Sequence, residues 1–328
     1  MHHRISVRIP KRFVVALIVT CSLLAARMLA QGTAGIAAQY PSDVGIESDP
    51  SVIFVEKFEE ASLATMLGRW TAVAPGTMSF STDVAAGSPS GSRSVNVPAI
   101  QGQDSGGQLY YTFPGVDVLY VRYYTKYAST GIPHHSGIWV GGYNPQSPWP
   151  DPQAGSKPVG NERFIAGAEQ NTVGRFEHYN YWMNMRPDGW GSYWGNFLLN
   201  NPSVTIAPDQ WTCVEEMVKL NNPTTSFNGE HALWLNGVKV SHLGQGFPNG
   251  SWSGGIFTQS ATGTPFEGFR WRSDANLKIN WIWLQNYSDN LSTSVKFDHV
   301  VAATTYIGCL SSGGTLPYAP SNLRIISR

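Results

Sequence analysis

Leu119-Tyr120-Val121-Arg122-Tyr123-Tyr124-Thr125-Lys126-Tyr127 is the stretch on which the architecture turns. Side chains of a strand alternate between two faces. Leu119, Val121, Tyr123, Thr125 and Tyr127 therefore share one side, and Tyr120, Arg122, Tyr124 and Lys126 the other. Aromatic and β-branched residues at period two, with no helical period, read as a strand. Residues 176–186 behave the same way: Phe176, His178, Asn180, Trp182, Asn184 and Arg186 lie against Glu177, Tyr179, Tyr181, Met183 and Met185. Ordinary solvated strand faces favour Lys and Glu. Rings mixed with amides, His and Arg suit a sugar surface instead, because rings stack on pyranose C–H groups while amides and Arg bond hydroxyls and carboxylates. The competing expectation is that one of these faces is core, with its polar groups paired internally.

Working outward, further strand-like runs occupy 52–59, 107–113, 137–142, 193–199, 210–220, 230–235, 275–284 and 293–302, separated by Gly, Pro, Asn and Ser clusters. The chain of 328 residues has 34 Gly, 21 Pro and 12% aromatics, and only 13% of its residues are charged. So little charge beside so many large apolar groups excludes a disordered chain, and the composition is not that of a helical bundle. No long helical period and no internal repeat is found. These features predict one all-β domain over 51–310: a β-jelly roll, or sandwich of two antiparallel sheets, with a concave cleft.

The ends carry different signals. Arg4, Arg8, Lys11 and Arg12 precede an apolar run at 13–26, the pattern of a signal peptide over 1–30; the run is short for a membrane span, a membrane anchor being the alternative. Ala30 or Ala38 would close the cleavage site. A secreted or periplasmic protein with no stable membrane span is expected. Removing 1–30 takes away five basic residues and no acid, leaving a net charge near −5. With no basic stripe, nucleic acid is excluded as a partner, and a monomer is expected. Residues 31–50 read as a flexible lead-in; 311–328 read as a linker and the start of a further fibronectin-III-like module, or as a frayed tail. Export permits a disulfide between Cys213 and Cys309, but their spacing leaves two buried free thiols equally open.

Four stretches then occur in a telling order. The first is Tyr120-Val121-Arg122-Tyr123-Tyr124-Thr125-Lys126-Tyr127 running into His134-His135-Ser136-Gly137 and Gly141-Gly142-Tyr143. The second is Tyr181-Trp182-Met183-Asn184-Met185-Arg186-Pro187-Asp188-Gly189. The third runs from Gln210-Trp211-Thr212 to Leu233-Trp234-Leu235-Asn236-Gly237-Val238-Lys239, and the fourth is Phe297-Asp298-His299-Val300-Val301. Together, over about 52–308, they resemble the alginate- and glucuronan-lyase-like jelly rolls of the concanavalin-A-like group. The resemblance implies a carbohydrate-active protein, foremost a polysaccharide lyase cleaving a uronate polymer by β-elimination. Such chemistry needs a base, an acid and a group that neutralises the carboxylate.

The chain departs from the family pattern at the residues that matter. His134-His135-Ser136-Gly137 stands where the family has Gly-Lys-Leu-Pro-Gly, Asn180 and Trp182 where it has Ser-x-Arg, and Gly195 where the second of two tyrosines would follow Tyr193. The residues present supply a replacement set: His134 or His135 as base with His178 nearby, Arg122 on the carboxylate, and Tyr193 as acid. Tyr124, Lys126, Asn180, Trp182 and Arg186 are the expected substrate-binding residues. Glu59 and Asp298 resemble the carboxylates that hold a structural Ca2+ in such folds, with loop 87–91 offering carbonyls; exposed strand-end acids are the alternative. Two other functions compete. One is a non-catalytic polysaccharide-binding module. The other is a glycoside hydrolase with acids from separate strands, Glu215 with Glu177 for example, since no Glu-x-Asp-x-x-Glu run exists.

Overall fold

The computed structural model describes residues 34–103, 106–131, 133–170, 176–199, 205–288 and 291–311. The segment expected as a signal peptide and the tail beyond 311 lie outside the described residues. All strands belong to one unit, Ile36–Arg328. In chain order they are β1 (Val52–Glu56), β2 (Ala72–Ala74), β3 (Ser79–Ser81), β4 (Ser94–Ala99), β5 (Gln108–Val116), β6 (Val118–Tyr127), β7 (His135–Tyr143), β8 (Arg163–Gln170) and β9 (Phe176–Tyr181). They continue as β10 (Asn196–Leu199), β11 (Thr212–Lys219), β12 (Glu230–Leu235), β13 (Val238–Leu243), β14 (Asn249–Ser253), β15 (Ile256–Gln259), β16 (Thr264–Pro265), β17 (Ile279–Tyr287) and β18 (Thr293–Ala303). Among the described residues a single short α-helix, α1 (Leu63–Leu67), starts where the Ser62 hydroxyl accepts the Thr65 amide.

The strands form two sheets. The first runs β13-β12-β11-β6-β18-β4-β3, with β1 pairing the far half of β18; the second runs β16-β14-β15-β10-β9-β8-β7-β17-β5-β2. Pairing is antiparallel apart from β10 with β15. The expected jelly-roll sandwich is thus what forms. The alternating segment became β6, in the middle of the first sheet, and its Leu119, Val121, Tyr123 and Tyr127 face inward. Across the sandwich they meet Ile138, Phe164, Ala166 and Ala168 of the second sheet. The Tyr123 hydroxyl spans the layers to donate to the Ala168 carbonyl at 3.4 Å. Each such large apolar side chain contributes about 1.5–3 kcal/mol on burial.

Three glycines set how closely the second sheet's rings lie on it. A Cβ on Gly167 would stand 2.7 Å from the Trp139 ring, one on Gly141 2.3 Å from the Trp281 ring, and one on Gly195 2.3 Å from the Tyr179 ring. The missing side chains let these rings lie flat across neighbouring strands.

The outer face of the first sheet is not open. Residues 36–48, expected as a loose lead-in, fold into three 3-10 turns that bury Ala37, Asp43 and Ile46 against Val55, Val301 and Ile307. The reason is visible at Arg122. This guanidinium is fully buried and needs a counter-charge, which Asp43 gives through both carboxylate oxygens at 2.8 and 2.7 Å. The C-terminal end covers the rest. Cys213 is bonded to Cys309, Leu310 N–H donates to the Tyr124 hydroxyl, and Ile307 and Gly308 N–H donate to Glu215.

Candidate functional site

The outer face of the second sheet carries the site. Cross-strand register aligns one aromatic row over seven strands: Tyr110, Trp283, Trp139, Gly167, Tyr179, Phe197 and Ile256. Beside this row Gln108 pairs with Gln285, Gln285 with Gly137, and Glu169 with Glu177. Loop 144–162 closes one end of the face. Its Ser147 and Asp151 carbonyls accept from the Tyr110 and Tyr143 hydroxyls at 3.2 and 2.7 Å.

His135 sits at the start of β7, at the other end, with its side chain 18% exposed. Its Nδ1 lies 3.0 and 3.2 Å from the two oxygens of the buried Glu169 carboxylate. An ionised carboxylate only accepts, so Nδ1 carries the proton, and in the neutral ring Nε2 then holds the lone pair. That is the tautomer of a general base, with the acid as its orienting partner. The ring packs 5.0 Å from Tyr179, 5.1 Å from Trp139 and 4.3 Å from the stacked, exposed His134. The Tyr179 hydroxyl stands 3.2 Å from that of Tyr181. Burial raises both phenols, Tyr181 to about 12, so both keep their protons near neutrality. Gln285 Nε2 is buried and has no hydrogen-bond partner among the described residues, which leaves a neutral donor on this face.

Of the predicted site residues, His134 and His135 are brought together here. Tyr193 and Arg186 lie on the loop that follows β9, toward the β14–β15 edge. Tyr193 bridges to Gly155 and packs under Lys157, 5.5 Å from its ring; Arg186 stacks on Trp252 at 4.4 Å. The others are elsewhere. Arg122, Tyr124 and Lys126 belong to the first sheet, on its outer face, where Arg122 is bound to Asp43, Tyr124 lies under Leu310, and Lys126 pairs with Asp83 at 2.9 Å. Glu215 is on that sheet too, so it cannot partner Glu177 of the other.

His178, Asn180 and Trp182 correct the choice of face at 176–186. They point into the sandwich and are fully buried, whereas Glu177, Tyr179 and Tyr181 form the outer face. The inward polar groups satisfy one another. Asn180 Oδ1 accepts from Gly167 N–H at 3.3 Å, so its Nδ2 donates to His231 Nδ1 at 3.1 Å. The His231 proton is then on Nε2, which serves His178 Nδ1 at 3.2 Å and Glu216 Oε2 at 3.3 Å. His178 Nε2–H in turn donates to the Ser241 hydroxyl at 2.6 Å. Neither ring needs a charge. Burial pushes His178 down to about 3 and His231 well below its ordinary value, and lifts Glu216 well above the usual carboxylate range.

The expected cation ligands differ from each other. Glu59 is exposed and accepts the Arg93 amide at 2.7 Å. Asp298 is fully buried at a bulge of β18, and its Oδ2 accepts from Ala85 N–H at 3.0 Å. Its Oδ1 has no hydrogen-bond partner among the described residues, and burial raises its carboxyl to about 6.

Glu169, the buried partner of His135, is a residue of this face that the sequence reading did not single out. It lies on β8, whose Ile165-Ala166-Gly167-Ala168 core lacks the bulky alternation of a recognisable strand.

No family model matches the sequence, and no curated protein sequence does. Solved structures do. The chain is similar to the PL-14 alginate lyase of Aplysia kurodai, with a TM-score of 0.54 at 15% identity over 77% of this chain and 99% of that one. It is similar to the alginate lyase vAL-1 of Chlorella virus, with a TM-score of 0.53 at 12% identity over 77% of this chain and 99% of that one. At such identities the likeness is one of architecture: the chain has a polysaccharide-lyase-like jelly-roll fold.

Proposed function

We propose that the chain is an exported polysaccharide lyase-like enzyme that cleaves a uronate-containing polymer by β-elimination, with His135 as base. The observation that carries this reading is the His135–Glu169 pair beside Tyr179 on an aromatic sheet face. In the reaction His135 Nε2 takes the proton α to the carboxylate. The released electron pair forms the C4–C5 double bond, the C4–O4 bond breaks, and the departing oxygen takes a proton from Tyr179. The Gln285 amide, with His134, bonds the carboxylate as negative charge builds on it. Polysaccharide is thus the partner, and the lyase-like fold supports it. Export is supported by the basic-then-apolar pattern of 1–30 and by the Cys213–Cys309 disulfide. No helix among the described residues is long and apolar enough to cross a membrane.

The test is ultraviolet absorbance during incubation with alginate, glucuronan and pectin, because elimination creates a conjugated unsaturated uronate. A rise that His135→Ala abolishes and Glu169→Gln strongly slows is expected. A rise indifferent to His135→Ala refutes the assignment. One observation favours a second reading: Glu169 and Glu177 are direct cross-strand neighbours on this face. Paired carboxyls about 5–5.5 Å apart serve retaining glycoside hydrolases. New reducing ends without absorbance would select that hydrolase, and binding with neither signal a non-catalytic module.

A structural Ca2+ belongs to the same proposal. Buried Asp298 Oδ1, Glu59 and the carbonyls of loop 87–91 would hold it, and it would tie the β1 end to β18. Added Ca2+ is expected to raise the melting temperature, and Asp298→Asn to remove that rise.

A further inference from the structure

Away from His135, on the side of loop 144–162, the face runs out at an edge whose chemistry the reaction does not use. Trp190 is 93% exposed and Trp194 53%, and Ile256, the last member of the aromatic row, is 42% exposed. Leaving indole rings in water forgoes the burial that usually places them inside. These rings are not on a fraying segment. The Asp188 carboxylate accepts from both Trp190 and Ser192 N–H at 2.8 Å, Asp188 N–H donates to the Ser192 carbonyl at 2.8 Å, and Gly155 N–H ties the Tyr193 carbonyl at 2.9 Å.

The edge is continuous with the site. Gly195 follows Trp194 and lies directly on the Tyr179 ring, where a Cβ would come within 2.3 Å. Ile256 pairs with Phe197, which pairs with Tyr179. Two cations flank it: exposed Lys157 over the Tyr193 ring, and exposed Arg186 at the loop's start.

We propose that loop 186–195, with Lys157 and Ile256, is a docking platform for the distal sugars of an acidic glycan chain whose reacting end lies at His135. Single indoles set among Gly189, Gly191 and Ser192 suit one pyranose face each. They do not make the broad continuous apolar area that a stable protein interface needs. Lys157 supplies the charge that a uronate carboxylate would meet. The inference deepens the lyase reading and rests on its substrate class.

The experiment measures calorimetric binding of alginate oligomers, a disaccharide and an octasaccharide, beside neutral cello-oligosaccharides, to the full chain. Trp190→Ala and Trp194→Ala are expected to weaken octasaccharide binding about three- to tenfold, the worth of one ring stack, and to leave the disaccharide unchanged. Trp190→Tyr restores most of the loss. Lys157→Ala weakens the alginate octasaccharide and not the neutral one. The proposal is overturned if both Trp variants bind the octasaccharide as the wild type does, if they weaken both lengths equally, or if the wild type binds no alginate oligomer. It is also overturned if sedimentation finds a dimer that Trp190→Ala dissociates, for then the patch is a self-interface. A wild type that binds the octasaccharide without producing unsaturated uronate removes the lyase reading and leaves the platform standing. Unsaturated product with unaltered binding by the Trp variants removes the platform alone.

Discussion

Replacing His178 with Gln tests the neutral hydrogen-bond chain inside the sandwich. The wild-type ring is fully buried and pushed down to about 3 from an ordinary 6.5, first by burial and then by His242. A folded value below the unfolded one means that the unfolded chain binds the extra proton first. The stability is therefore complete above pH 6.5 and drains as pH falls toward the folded value. The gap of about 3.5 corresponds to about 5 kcal/mol, at about 1.4 kcal/mol for each pH unit crossed. That rivals the whole stability of many domains, about 5–15 kcal/mol.

His178→Gln loses the bonds to Ser241 and His231 and starts about 1–3 kcal/mol lower at neutral pH. It also loses the titrating group, so its stability declines less steeply in acid. Urea unfolding followed from about pH 7 to about pH 4 should show the wild-type advantage shrinking by about 1.4 kcal/mol per pH unit below about pH 6.5 and reversing before about pH 4. Parallel curves would mean that the His178 ring is hydrated or already charged in the fold, and the derivation of its tautomer would fail. Glu216 gives the opposite sign from the same network. Its folded value is raised by burial, so its contribution is complete below about pH 4.5 and is lost as pH rises. Glu216→Gln should accordingly gain on the wild type at alkaline pH and not in acid.

Three further outcomes follow from the packing. Reducing the Cys213–Cys309 bond, or replacing both residues with Ser, frees a loop of 96 residues and should lower unfolding free energy by about 4–5 kcal/mol, read as a lower urea midpoint. Gly167→Ala places a methyl 2.7 Å from the Trp139 ring and should cost about 1–3 kcal/mol, with a shift in tryptophan fluorescence. Arg122→Met leaves the buried Asp43 carboxylate with His299 Nδ1 as its side-chain partner and without the guanidinium charge, and should cost about 3–5 kcal/mol, whereas Arg122→Met with Asp43→Leu should recover much of it in a thermal melt.

Period-two patterning exposes the two faces of a strand but does not label which one is inside. At 119–127 the inward face was plain, because its residues are apolar and the outward ones carry Arg and Lys. At 176–186 both faces mix rings with polar groups, and the face with more hydrogen-bonding capacity proved to be the interior one. What makes that interior tolerable is His231 and Ser241, more than 50 residues along the chain, which accept and donate where water otherwise would. A local reading of 176–186 contains neither partner. The same non-locality moved Arg122. An arginine on an outward strand face reads as a ligand clamp until the chain's own residues 36–48 arrive to cover it.

The errors therefore share a cause, and His135, which the structure sets on the aromatic face, shows the converse. His135 opens a strand at a loop, so its surroundings are set mainly by β8 and β9, adjacent in sequence and in the sheet. Its orienting acid lay close too, 34 residues on, yet on a strand written in Gly and Ala. Those small residues are what the site requires. Side chains at Gly167 and Gly195 would collide with the rings of Trp139 and Tyr179, the aromatic floor on which His135 rests. The local composition that hid β8 from a pattern based on bulky alternation is thus the same feature that lets two rings pack flat beside the His135 imidazole. A search for such sites should look for glycine-bearing strands opposite tryptophan-bearing ones rather than for the most aromatic strand alone.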